Sequence, residues 1–250
     1  MSFQSRDRSI ASDWPLFRLK ITTARLELRP VQDADLAPLL RLVRAGIHDS
    51  GSMPFGTGWT DRPEDQFDHG FAQYFWSQRG SWSLDAWALP FVVLLDARPI
   101  GVQQLTGDAF PITRTVGTGS WLGREFQGRG IGTEMRAAVL DFAFFELGAE
   151  FAITGAYAFN SASNRVSQKL GYKPNGVRRD VVRGRAEDAL RYRLSAAEWR
   201  TFDHRCAAIE GLHACRDYFF TAAQSSDGAT PLQTRDRPLA RRRTTGLRAG

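Results

Sequence analysis

Residues 121–135, WLGREFQGRGIGTEM, constrain the chain more than any other stretch. The end of an apolar strand runs into Gln127-Gly-Arg-Gly130-Ile-Gly132. The clearest helix pattern in the chain then begins, with Ile131, Met135, Ala138, Val139 and Phe142 on one stripe. Glycines at this spacing let the backbone curl with its N–H groups turned inward. A helix start adds unsatisfied donors and the positive end of the dipole. Together they make a site for a pyrophosphate, and Arg129 can add a charge-assisted contact. Two other readings compete. One is a glycine-rich turn with no ligand. The other is a dinucleotide fold, which requires G-x-G-x-x-G after its first strand and an acidic residue about 20 positions on. The spacing here is G-x-G-x-G, well into the chain, which argues against nicotinamide binding.

The surrounding pattern is α/β with a mixed sheet. RLELRP (25–30) alternates like a strand that ends at proline. Asp33 or Asp35 can cap a helix carrying Leu36, Leu39, Leu40 and Val43, with Pro38 in its first turn if Asp35 is the cap. Residues 46–62 read as a long loop and 63–77 as a second helix. FVVLL (91–95), a turn at Arg98-Pro99, IGVQQL (100–105) and a strand at about 114–122 follow. The main helix spans 130–147 with Gly148 at its end, then FAITGAY (151–157) forms a buried strand. A short helix at 162–170 stops at Gly171. VRRDVVRG (177–184) and EDALRYRL (187–194) pair as a hairpin around Gly184-Arg185, and SAAEW (195–199) is a helical tag. There is no internal repeat.

At 250 residues, 42% hydrophobic and 24% charged, the chain has the composition of a soluble globular protein. No window approaches the ~18 apolar residues of a membrane span. The start, MSFQSRDRSIASDWP, lacks a signal-like apolar stretch. Two cysteines fit a reducing cytosol, so the expected location is cytoplasmic. The net charge of +6 lies mostly at one end: residues 226–250 hold six arginines and two aspartates. The folded part is therefore near neutral. Residues 1–18 are expected as a flexible arm, 19–200 as the domain, 201–223 as a helical extension, and 224–250 as a disordered Arg-rich tail.

Three segments carry a family resemblance. Gln127-x-x-Gly130-x-Gly132 resembles the acetyl-coenzyme A motif of the GNAT acetyltransferases, Q/R-x-x-G-x-G/A. TTARLELRPVQDAD (22–35), GSWLGREFQGRGIG (119–132) and NSASNRVSQKLGYKPNG (160–176) resemble the ribosomal-protein N-terminal acetyltransferases of the RimJ/RimL type. The resemblance covers about residues 19–200 and implies a mostly antiparallel seven-stranded sheet with about four flanking helices. Its two central parallel strands splay apart so that pantetheine lies between them. It also implies that Trp121 and Leu122 bond the pantetheine through backbone. Gln127, Gly128, Arg129, Gly130, Ile131, Gly132 and Thr133 would hold the pyrophosphate, and Asn160 the pantetheine amides.

The reaction implied is transfer of an acetyl group from acetyl-coenzyme A, as co-substrate, to a primary amine by direct attack, with no metal. A larger donor such as succinyl-coenzyme A, or a coenzyme-binding sensor without catalysis, are the alternatives. The acceptor could be a protein N-terminus, a polyamine, or an amine-bearing antibiotic or metabolite. The leaving thiolate needs a proton. Ser163 aligns with the serine of RimJ/RimL-type enzymes, whereas many other members carry a tyrosine where this chain has Ser167. The family's glutamate base falls on Gly117 and is missing. Asp108, and His48 and Asp49 in the 46–62 loop on the acceptor side, are the replacement candidates, each also readable as an ordinary solvated loop residue. The aromatic residues between Phe55 and Trp87 suggest an acceptor pocket, a homodimer contact, or plain core. His204-x-Cys206 and His213-x-Cys215 lack zinc-site spacing. Arg241-Arg242-Arg243 comes with no nucleic-acid-binding fold, so neither nucleic acid nor membrane is an expected partner.

Overall fold

The computed structural model describes residues 14–201 and 206–221. The arm before residue 14, His204 and the tail from 222 lie outside them. The elements are β1 (Lys20–Thr22), β2 (Leu26–Pro30), α1 (Asp33–Ala45), α2 (Glu64–Gly80), β3 (Ala86–Leu95), β4 (Arg98–Asp108) and α3 (Phe110–Thr113). They continue with β5 (Thr115–Leu122), α4 (Ile131–Asp141), β6 (Phe151–Tyr157), α5 (Ser161–Lys169), β7 (Lys173–Val182), β8 (Arg185–Ser195), α6 (Ala196–Thr201) and β9 (Ala208–Glu210). One sheet runs β7-β8-β6-β5-β4-β3-β2-β1-β9. Every pairing is antiparallel except β5 with β6. The seven strands of the expected sheet are β2 to β8. Two three-residue strands extend the β2 edge.

The alternation along β4 and β5 divides their side chains between two cores. Leu105, Val116 and Leu122 face α4 in the larger core, beside Ile131, Met135 and Val139. Val102 faces the other way, toward Leu39, Val43, Phe71 and Phe75 of α1 and α2. Gly123 ends β5 where a side chain would strike Leu42 of α1, so glycine is needed for that close approach.

Local details depart from expectation for identifiable reasons. Gln32, not an aspartate, caps α1, and Asp35 sits one turn in. There the Asp35 carboxylate accepts the Gln32 N–H at 2.8 Å and pairs with both terminal nitrogens of Arg29 at 2.7 Å. Pro38 therefore falls inside the helix rather than in its first turn. The β3–β4 turn is Asp96-Ala97, both with positive φ, and the β7–β8 turn is Arg183-Gly184, again both positive. Paired positive φ matches the twist of tight hairpins, which moves each turn one or two residues earlier than expected. Helix α4 continues as a π-helical turn over Phe142–Glu146 before Gly148.

The ends also differ. Residues 15–18 form a 3-10 turn that buries Leu16 completely, so the chain is already part of the core there. The extension expected as helix is β9 followed by two 3-10 turns, Leu212–Ala214 and Arg216–Tyr218. Phe219 and Phe220 are buried, and Phe219 packs against Trp82, Trp87 and Phe142. The segment is fastened by Asp141 of α4, whose buried carboxylate accepts from Trp199 Nε1 (2.9 Å), Cys206 N (2.7 Å) and Ala207 N (3.1 Å). Cys206 and Cys215 are free thiols. Burial, with the Asp141 carboxylate beside it, pushes the Cys206 thiol up to about 12, and burial does the same to Cys215.

Candidate functional site

The parallel pair β5–β6 is joined only at Thr115↔Phe151, Val116↔Ala152 and Gly117↔Ile153. Beyond Gly117 the strands part, β5 running on to Leu122 and β6 to Tyr157. Backbone carbonyls left along β5 must find other donors, and side chains supply them. Thr154 Oγ1 donates to Thr118 O (3.1 Å) and Gln127 Nε2 to Leu122 O (2.9 Å), while on the β4 side Gln103 Nε2 donates to Gly119 O (3.0 Å). A cavity of about 410 Å³ fills the parting, lined by Gly117, Thr118, Gly119 and residues 153–157.

At the open end of β5 lies the glycine loop. Gly128 (φ 72) and Gly130 (φ 78) are in the left-handed region, which glycine adopts without strain. Gly130 precedes the first residue of α4, and the N–H groups of Thr133 and Glu134 both return to its carbonyl at 3.1 Å. The N–H groups of residues 128–132 donate to no backbone carbonyl among the described residues. A Cβ built on Gly128 meets nothing within 4 Å, and one on Gly130 meets only Arg25 Nη2 at 3.7 Å. The loop is thus an exposed, outward-facing set of free donors at a helix N-terminus, which fits a pyrophosphate. The Gln127 side chain turns away from that opening. Its amide also donates to Ile47 O at 2.8 Å, tying the loop's start to the chain after α1.

Arg25 and Thr23 hold the loop's far side. Arg25 pairs with Glu134 at 2.6 Å, and Thr23 Oγ1 donates to the same carboxylate at 2.6 Å. Burial opposes ionisation of Glu134, but these bonds outweigh it and keep its carboxyl below the usual range.

Asn160 caps α5, its Oδ1 accepting the Ser163 N–H at 3.1 Å. Ser163 is half-buried in the first turn. Ser167, four residues on, is buried and committed, receiving Arg136 Nη1 at 3.0 Å and donating to Ser163 O at 3.2 Å. The side chain missing at Gly117 would collide with Thr106 Oγ1.

The replacement base candidates are not gathered at the parting. Asp108 pairs with Ala86 two positions past Thr106, toward the closed end of the β5–β6 junction, and lines neither cavity. His48 uses both ring nitrogens inside its loop, Nδ1 with Asp49 O (2.8 Å) and Nε2 with Thr60 Oγ1 (2.9 Å). Asp49 accepts the Gly51 N–H at 2.8 Å.

Apart from Trp76, which is exposed and donates to Asp33, the aromatic residues divide into two groups. Trp82 and Trp87 belong to the core around Phe219. Phe55, Trp59, Phe67, Phe71, Tyr74 and Phe75 line a second cavity of about 280 Å³ with Trp121. Gln104 and Gly119 line both cavities, so the aromatic chamber borders the parting directly. Gln103, Gln104, Thr154 and Arg136 were not singled out from sequence. Nothing in residue type or spacing marks them, because their roles depend on where β5 and β6 separate.

Comparison with known proteins agrees with this architecture. Residues 25–173 match the family model described as the acetyltransferase (GNAT) domain. YdaF of Bacillus subtilis (strain 168), provisionally named a ribosomal N-acetyltransferase, is 31% identical over 90 residues, 35% of this chain and 49% of that protein. The prophage-derived N-acetyltransferase YokL of the same organism is 32% identical over 76 residues, 30% of this chain and 43% of that protein. The chain thus spans about half the length of the curated relatives it matches. Among solved structures, Mycobacterium smegmatis RimJ in complex with CoA-disulfide superposes with a TM-score of 0.62 at 21% identity, covering 80% of this chain and 93% of that one. RimL, a ribosomal L7/L12 alpha-N-protein acetyltransferase in complex with coenzyme A, gives 0.57 at 18% identity, covering 70% and 97%. These likenesses show a shared fold. The family model spans well over half of the chain and includes the parted strands, the glycine loop and the start of α5, so the chain belongs to the GNAT acetyltransferase family.

Proposed function

We propose that the protein is a cytoplasmic N-acetyltransferase that moves an acetyl group from acetyl-coenzyme A to the primary amine of a protein N-terminus. The observation that carries this is the β5–β6 parting with a ring of free N–H donors at its open end. In this reading residues 128–132 hold the pyrophosphate through backbone N–H groups. Arg129 and Thr133 stand beside them, and Gln127 shapes the loop rather than touching phosphate. The edge of β5 near Trp121 and Leu122 takes the pantetheine, helped by Asn160.

The Ser163 hydroxyl supplies the proton that the departing sulfur needs. With glycine at 117, the amine loses its proton without a carboxylate on β5. Relatives named ribosomal N-acetyltransferases support a protein acceptor, and the aromatic chamber beside Gly119 supports one with an apolar group near its amine. No helix among the described residues is long and apolar enough to cross a membrane.

Thiol release from acetyl-coenzyme A, assayed against N-terminal peptides, polyamines and aminoglycosides with calorimetry in parallel, tests the reading. Release with peptides supports it. Coenzyme binding without release on any amine would replace it with a sensor, and absence of binding would remove it. Ser163→Ala should lower kcat about a hundredfold while leaving coenzyme affinity within about twofold. Unchanged turnover would remove the hydroxyl from the reaction. Trp59→Ala should raise KM for a peptide with an apolar second residue about tenfold, by loss of one aromatic wall, with KM for acetyl-coenzyme A unmoved. Equal effects on both would place Trp59 in the scaffold instead.

A further inference from the structure

Behind the parting, on its helix side, lies a cation without a counter-ion. Arg136 on α4 is 4% exposed. Its Nη1 donates to Ser167 Oγ at 3.0 Å, its Nη2 reaches Ser120 Oγ only at 3.5 Å, and its Nε has no partner. No carboxylate pairs with it among the described residues, and the charged or titratable group that influences it is the neutral phenol of Tyr172. The hydroxyls of Tyr172 and Thr118 are also buried and have no hydrogen-bond partner among the described residues. A guanidinium buried without a counter-ion is costly, and each unpaired buried donor adds to that cost. Burial lowers the Arg136 pKa from its ordinary value.

The place of this charge gives it a use. Ser120 and Thr118 belong to the stretch of β5 that has left β6, and Ser167 is one turn behind Ser163 on α5. Arg136 therefore stands behind the helix-side wall of the gap in which the transferred acyl group is exchanged, reaching it through Ser120 and Ser167 and lining neither cavity itself, an account that rests on the function proposed above. We propose that Arg136 is a positioning residue that, acting across the Ser167 and Ser120 hydroxyls it holds, uses its unpaired charge to stabilise the coenzyme's thiolate as it leaves. In the reaction, the amine nitrogen's lone pair forms the bond to the acyl carbon. The carbon–sulfur bond breaks, and its electron pair goes to sulfur. A proton from the nitrogen, relayed at Ser163, ends on that sulfur to give amide and free thiol. Negative charge on sulfur exists only late in this sequence. A cation held dry and unneutralised in advance favours that moment over the uncharged thioester. A carboxylate partner would cancel the effect.

The intact wild-type chain gives the first test. Affinity for coenzyme A, measured by calorimetry, should rise about tenfold as pH passes through the thiol's ionisation, because the thiolate is the form that Arg136 favours. Affinity for S-methyl-coenzyme A, which cannot ionise, should not rise. Equal pH dependence for the two would overturn the proposal while leaving the acetyltransferase reading intact, whereas failure of both to bind would overturn both. The variants give the second test. Arg136→Met removes the charge at similar length, and a buried charge exchanged for an apolar group is generally tolerated by the fold. It should abolish the pH-linked gain, lower kcat about a hundredfold and leave KM for acetyl-coenzyme A unchanged, with Arg136→Lys recovering part of the loss. A folded Arg136→Met variant that retains the pH-linked gain would exclude Arg136 as its source.

Discussion

Gly130→Glu is expected to abolish acetyl-coenzyme A binding, with the protein still folded. Gly130 has φ 78, where a side chain costs about 1–2 kcal/mol. Its Cβ would enter open space near Arg25, so packing adds no further penalty. Thermal stability should therefore fall by a few degrees only. The binding loss has two larger causes. The added carboxylate would sit among the free N–H groups of residues 128–132 and take the place of the phosphates it resembles in charge. It would also repel whatever phosphate approached. Loss of at least a thousandfold in affinity, about 4 kcal/mol, should be seen by calorimetry against an unchanged far-ultraviolet dichroism spectrum. Tight binding by this variant would remove the loop as the phosphate site.

The second large effect is on stability. Asp141→Ala should destabilise the chain by about 3–5 kcal/mol and lower its melting temperature by about 10 °C. The Asp141 carboxylate is completely buried and accepts three donors from Trp199, Cys206 and Ala207. Alanine leaves those donors facing apolar surface. The segment they anchor carries β9 and the Phe219–Phe220 pair, so limited proteolysis should release the C-terminal part first. A melting temperature within a degree of wild type would show that β9 and the two phenylalanines hold without it.

The sheet's seven main strands and four longer helices are legible in the sequence through alternating or continuous apolar runs, apolar stripes, and the Gly and Pro residues that bound them. Strands β1 and β9 are three residues long, too short for any period to register, and exist because β1 pairs with β2 on one side and with β9 on the other. The segment after Thr201 misleads for a related reason. Its apolar residues anchor turns in a core built from distant aromatics, not a helix of their own. The glycine loop is legible because its function is backbone. Gln127 is less so: the family motif places it at the coenzyme, while its side chain here bridges Leu122 O and Ile47 O. Arg136 escapes notice because an arginine next to an apolar helix stripe usually lies in water. Its burial goes with the small side chains of Ser120 and Ser167 beside it, a property of α4, β5 and α5 together.

The sheet is continuous as a ladder diagram but not as a mechanical object. One leaf comprises β9 to β5, the other β6 to β8, and three residue pairs stitch them. From β2 to β5, and among β6, β8 and β7, the strands are laced over longer registers, so each of these groups should exchange its amide hydrogens as a block. The seam should open first, at residues 118–122 and 154–157, where the lacing stops. A molecule lodged in the seam acts as mortar, raising stability by about 2.7 kcal/mol at a hundred times its dissociation constant, and that gain should appear as slowed exchange along the seam rather than evenly over the sheet.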